Sequence, residues 1–122
     1  MSGRIKIHHT DQDAIRALLL GRTVTKVDDT TLTLDDGRTL AIKGNEGGCI
    51  CGAGDYVITE LNDCPVNAIM AVEFESGWGD ATDVLDHFRL FVLAADARIK
   101  LIEAEGWDSG YYGTGYWIEV SA

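Results

Sequence analysis

Between Thr23 and Val120 the chain repeats one pattern: short runs in which β-branched, aliphatic or aromatic residues alternate with polar ones, each closed by turn chemistry. The runs are TVTKV, TLTL, TLAI, YVITEL, NAIMAVEFE, FRLFVL, RIKLIEAE and YWIEV. Alternate side chains of a strand point to opposite faces, so a period of two suits a strand with one face buried and cannot line one side of a helix. In NAIMAVEFE, for example, Met70, Val72 and Phe74 fall on one face and Glu73 and Glu75 on the other. The sequence DDG, Asp35 to Gly37, supplies a hairpin turn between TLTL and TLAI, and a second hairpin is expected around Ala94 to Ala97. SGWGDATDVLDH reads as an exposed loop with room for one helical turn from Asp80 to Leu85.

One stretch breaks the pattern. Thr10 and Asp13 have capping-box spacing, Ile15, Leu18 and Leu19 then share a helical face, and Gly21 offers a left-handed stop, so one helix is expected over about 11–20. These readings give an α+β fold, mainly antiparallel β: a curled sheet or small barrel of seven to eight strands with one N-terminal helix covering an opening. At 122 residues the chain is expected to form a single domain, 1–122, with enough core to fold without disulfides or metal.

Nine of the fourteen glycines fall in two stretches, GNEGGCICGAGDY (Gly44 to Tyr56) and GWDSGYYGTG (Gly106 to Gly115), which is more than ordinary hairpins require. The first suggests three chemistries. As a metal knuckle, Cys49 and Cys51, with Cys64, His8 or His9, would supply soft ligands, but a one-residue gap with no second pair is the wrong spacing for zinc. As a phosphate cradle it lacks a GKS or GKT ending, is followed by a strand and carries Glu46 and Asp55, which oppose an anion. Small side chains packed beneath a shaped loop fit best. In the second stretch Trp107, Tyr111, Tyr112, Tyr116 and Trp117 place five rings within eleven residues, the Tyr, Trp, Gly and Ser chemistry of recognition loops. Tyr116 and Trp117 themselves read as strand residues with one ring toward the core. The candidate binding residues are Asn45, Glu46, Asp108, Tyr111, Tyr112 and Thr114, and the two stretches are expected to pack beside one another.

No nucleophile elbow is present, and the histidine pair near the N-terminus is expected to be solvated. Glu73 with Glu75, and Glu103 with Glu105, share strand faces and read as solvated carboxylates rather than an acid–base pair. Neither a catalytic set nor a cofactor is expected. Twenty acidic against ten basic residues give a formal charge of −10, which disfavours nucleic acid and acidic membranes and favours a basic protein surface. The opening MSGRIKIHHTDQD turns polar before an apolar signal centre could form, so a cytoplasmic setting with reduced cysteines is expected.

The runs GNEGGCICGAGDYVITEL, NAIMAVEF and GYYGTGYWIEV resemble, over roughly residues 21–120, an uncharacterised family of small proteins found in actinobacteria and their phages. The matching positions are Gly44, Asn45, Glu46, Gly47, Tyr56, Asn67, Ile69 and Gly110 to Trp117. The resemblance implies a small phage or actinobacterial protein and carries no activity. The expectation is a non-enzymatic acidic binding protein that engages a host or partner protein. The alternative is a small-ligand or nucleotide-binding, sequestering protein that uses both glycine-rich stretches, and a third reading puts a metal or catalytic site at the cysteines. Self-association stays open.

Overall fold

A computed structural model describes residues 5–44, 56–78, 85–107 and 115–121. The elements in chain order are β1 (Ile5–His8), α1 (Gln12–Leu19), β2 (Val24–Asp28), β3 (Thr31–Leu34), β4 (Thr39–Gly44), β5 (Tyr56–Leu61), β6 (Ala71–Trp78), β7 (Leu85–Ala94), β8 (Ala97–Trp107) and β9 (Tyr116–Ser121). The described strands number nine, not seven or eight. The extra one is β1, whose sequence IKIH alternates but is short and flanked by polar residues. Its pairing along β9, from Ile5 opposite Val120 to His8 opposite Trp117, is what holds it extended.

The described strands form two antiparallel sheets and close no barrel. The first has the order β1-β9-β4-β3-β2, the second β5-β8-β7-β6. The chain builds β2 to β4 as a meander, crosses to make the whole second sheet, then returns so that β9 inserts between β1 and β4. The alternation is explicit in β9, where Tyr116, Ile118 and Val120 are buried and the residues between them are half-exposed. Inner residues of both sheets and of the helix, among them Ile15, Leu32, Leu90, Ile102 and Ile118, belong to one contiguous buried cluster.

Helix α1 presents Ile15, Leu18 and Leu19 to this core; burying each such side chain contributes roughly 1.5–3 kcal/mol. Its N-cap is Asp11 rather than Thr10: an Asp11 carboxylate oxygen accepts from the Ala14 N–H at 3.4 Å, while the Thr10 hydroxyl lies 2.7 Å from the His8 ring. The helix ends at Leu19 with Leu20 as its C-cap, and Gly21 follows with φ 79°. The Gly21 N–H donates to the Ile69 carbonyl, and the Ile69 N–H donates to that of Arg22. These bonds hold Ile69 in the core and leave Met70 outside β6 and 70% exposed, against the expectation that it shares an inward face with Val72 and Phe74. The expected hairpins form at Leu34–Arg38 and at Ala94–Ala97. The expected loop from Ser76 to His87 is shorter, because β6 runs to Trp78 and β7 starts at Leu85. No helix among the described residues is long and apolar enough to cross a membrane.

Candidate functional site

Strand register fixes where the chain leaves the two sheets. Gly44, the last residue of β4, pairs with Tyr116, the first of β9. Tyr56, the first residue of β5, pairs with Gly106 near the end of β8. Trp78 at the end of β6 pairs with Asp86, and Leu85 with Trp107. The strand ends at Gly44, Tyr56, Trp78, Leu85, Trp107 and Tyr116 therefore all lie at the same end of the molecule.

That end is built on aromatic rings. The His9 N–H donates to the Tyr116 carbonyl at 3.0 Å, which turns the chain out of β1 and brings the His9 imidazole against Phe88, 4.4 Å away between centroids, and Tyr116, 5.4 Å away. Tyr56 meets the same Phe88 at 5.7 Å. On the opposite face of the first sheet, His8 meets Trp117 edge-on at 4.5 Å. Two glycines permit this convergence. Gly115 has φ 78°, and a Cβ there would strike the His9 imidazole; a Cβ on Gly44 would strike the Tyr56 carbonyl. Each is a place where only glycine allows the approach.

Beside the rings lies a half-open cleft of about 250 Å³ lined by His9, Gln12, Phe74, Ser76, Phe88 and Tyr116, with Arg89 and Glu75 at its rim. Burial pushes the Tyr116 phenol far above its ordinary pKa, so it is a neutral hydroxyl at any physiological pH. The guanidinium of Arg89 donates to Glu75 at 2.9 Å and to Glu103 at 2.6 Å, across β6, β7 and β8. Glu103 also accepts from the Thr59 hydroxyl at 2.9 Å and from Lys100 at 3.2 Å, and Lys100 reaches Glu60 at 3.1 Å. Burial alone would raise the Glu103 carboxyl, but the bonds from Arg89, Thr59 and Lys100 outweigh it and hold the group below the usual carboxylate range. Glu103 is only 9% exposed, so the expected solvated carboxylate is instead the buried centre of a cross-strand ladder. Glu73 and Glu75 are exposed, with a little under half of each side chain in solvent and each paired with an arginine. The rim cation is thus committed to two carboxylates, and the cleft offers rings, hydroxyls and an imidazole: groups that recognise by contact.

Of the residues singled out in the sequence, Asn45, Glu46, Cys49, Cys51, Asp108, Tyr111, Tyr112 and Thr114 lie outside the described residues; the strand ends that flank them are adjacent. Cys64 is described. It is 1% exposed, forms an isolated bridge with Val24 and donates its thiol to the Asn67 carbonyl at 3.5 Å, and burial, with the charge of Asp63, pushes its pKa up. Among the described residues no three His, Cys, Asp or Glu side chains converge to hold a metal. Tyr116 faces the core, with Trp117 on the other face. His9, expected in solvent, is 9% exposed. Its position, and those of Phe88 and Arg89, were not legible in the sequence; the alternation of Ile5 and Ile7 was the signal that a strand runs up to His8, with His9 at its exit.

A family model described as a domain of unknown function, DUF7448, matches residues 17–118 of the chain. No curated protein and no solved structure matches it.

Proposed function

Because the chain belongs to the DUF7448 family, whose description assigns no activity, we propose its function from geometry: a non-enzymatic binding protein that engages a partner protein through the end where β4, β6 and β8 finish and β5, β7 and β9 begin. The observation that carries this reading is the register that sets Gly44 beside Tyr116 and Tyr56 beside Gly106. The strand ends that flank the two glycine-dense, tyrosine- and cysteine-bearing stretches are thereby neighbours on a two-sheet scaffold, and recognition residues are commonly carried between strands in this way. Tyr111, Tyr112 and Trp107 supply large contact area at low entropic cost, and Asn45, Glu46, Asp108 and Thr114 supply polar specificity. With a formal charge of −10, the partner's matching surface is basic. A bacterial cytoplasm, and a host protein as partner if the chain is phage-encoded, complete the proposal.

The test compares Tyr112→Ala and Asn45→Ala with the wild type for melting temperature and for partner recovery from cells of the source organism. A recognition role predicts that Tyr112→Ala loses the partner with melting unchanged. Recovery of the partner by Tyr112→Ala at the wild-type level would reject it, and a co-purified small molecule in native mass spectrometry would favour a sequestering role instead.

A further inference from the structure

On the outer face of the first sheet, away from the cleft described above, a groove of about 630 Å³ runs between β9 and the start of β5, lined by Lys6, Lys43, Trp117, Glu119, Tyr56 and Val57. We propose that this groove is a binding site for a small organic anion that carries a flat ring, of the chemical class of a nucleoside monophosphate. The site shares Tyr56 and Gly44 with the strand pairings behind the protein-binding reading, but the groups that define it, Lys6, Lys43 and Trp117, are none of the contact residues of that reading.

Register places its chemistry. Trp117 is flanked across the sheet by His8 on β1 and Lys43 on β4, and Glu119 by Lys6 and Ala41, so the two lysines lie diagonally about one indole. The Lys6 ammonium stands 5.2 Å from the Trp117 ring centroid and has no carboxylate within ion-pair distance among the described residues. Lys43 meets Glu119 at 3.3 Å yet keeps 54% of its side chain exposed, and an ammonium has three donors, so a second acceptor can be served. The charged groups of the lining among the described residues are thus two lysines and one carboxylate, a formal excess of one positive charge on a chain of net charge −10.

The molecule's overall negative field does not defeat such a site. At physiological salt, exposed charges beyond about 8 Å are largely screened, whereas an anion seated between Lys6 and Lys43 is in contact with both. The apolar half of the ligand has its counterpart in the indole edge of Trp117 and in Val57, which is 61% exposed and contributes nothing to the core. The volume falls within the roughly 300–1,000 Å³ of small-molecule sites. A ring alone would forgo both lysines, and a bare anion would forgo Trp117 and Val57, so the two halves together define the ligand class.

The experiment titrates adenosine monophosphate, adenosine and inorganic phosphate into the full chain and follows the indole N–H resonances by NMR, with Trp117→Phe identifying the relevant one. The proposal predicts that adenosine monophosphate moves the Trp117 resonance, that adenosine and phosphate each bind roughly tenfold more weakly, and that Lys6→Ala and Lys43→Ala each weaken the nucleotide by roughly fivefold or more. Both lysines are exposed surface residues, and unchanged melting temperatures show the variants to be folded. If the nucleotide at about 5 mM leaves the Trp117 resonance in place, or if adenosine binds as tightly as the nucleotide, or if the lysine variants bind it unchanged, the proposal is overturned.

Discussion

Gly115 shows how one backbone position can couple distant parts of the chain. Its φ of 78° is a conformation that costs a residue with a side chain about 1–2 kcal/mol, and the space a Cβ would need is filled by the His9 imidazole. Gly115→Ala is therefore predicted to destabilise by about 2 kcal/mol or more, from the φ cost plus overpacking. In a His9→Ala background the steric part disappears, so the same glycine change should cost only about 1 kcal/mol, a coupling that a double-mutant cycle in urea reads directly. Equal costs in both backgrounds would show that the ring and the glycine do not meet. The sequence announced that glycine in GYYGTG serves a positive φ or a close approach, and here it serves both. It did not announce the partner, because contacts between residues at opposite ends of a chain leave no local pattern. The same limit applies to Met70, whose outward turn is set by the Gly21–Ile69 hydrogen bond and not by the alternation around it.

At the level of elements, most strands were legible because each carries its own period of two, while β1 was missed because four residues give too little period to read without β9 beside them. The polar ladder of β6, β7 and β8 was half legible. Alternation put Glu73 with Glu75 on one face of their strand and Glu103 with Glu105 on one face of theirs, but only cross-strand register shows that Arg89 stands between Glu75 and Glu103 and buries the latter. This has a consequence in pH. The Glu103 carboxyl is held below its unfolded value, so its stabilising contribution is complete above the ordinary glutamate pKa of about 4.3 and is lost as pH falls through the lower folded value. Glu103→Gln is predicted to cost about 1–3 kcal/mol at pH 7, since Arg89 and Lys100 lose their charged acceptor, and this gap should narrow below about pH 4.3 as the wild-type group protonates. Urea unfolding of both proteins between about pH 7 and pH 3 checks it. A gap independent of pH would mean that the ladder does not depend on the charge of Glu103.

For the whole molecule, the split into two sheets and the return of β9 between β1 and β4 were not legible, because run order fixes neither strand order nor which sheet a strand joins. The proposed function rests on that return: β9 ties the end of the second glycine-rich stretch, at Gly115 and Tyr116, to the start of the first, at Gly44. The formal charge of −10 acts at this scale as well, and association with a basic partner is predicted to slow by roughly tenfold between low and physiological salt, whereas a rate indifferent to salt would leave the acidity to solubility alone. The central claim is that one end of the molecule recognises the partner. It is tested most directly by placing a photo-crosslinking residue at Tyr112, in the segment anchored at that end, and in a second protein at Val66, 83% exposed in the connection at the far end of β6. The account predicts that irradiation joins the partner to the chain substituted at 112 and not to the chain substituted at 66. Crosslinking at 66 with none at 112 would contradict it.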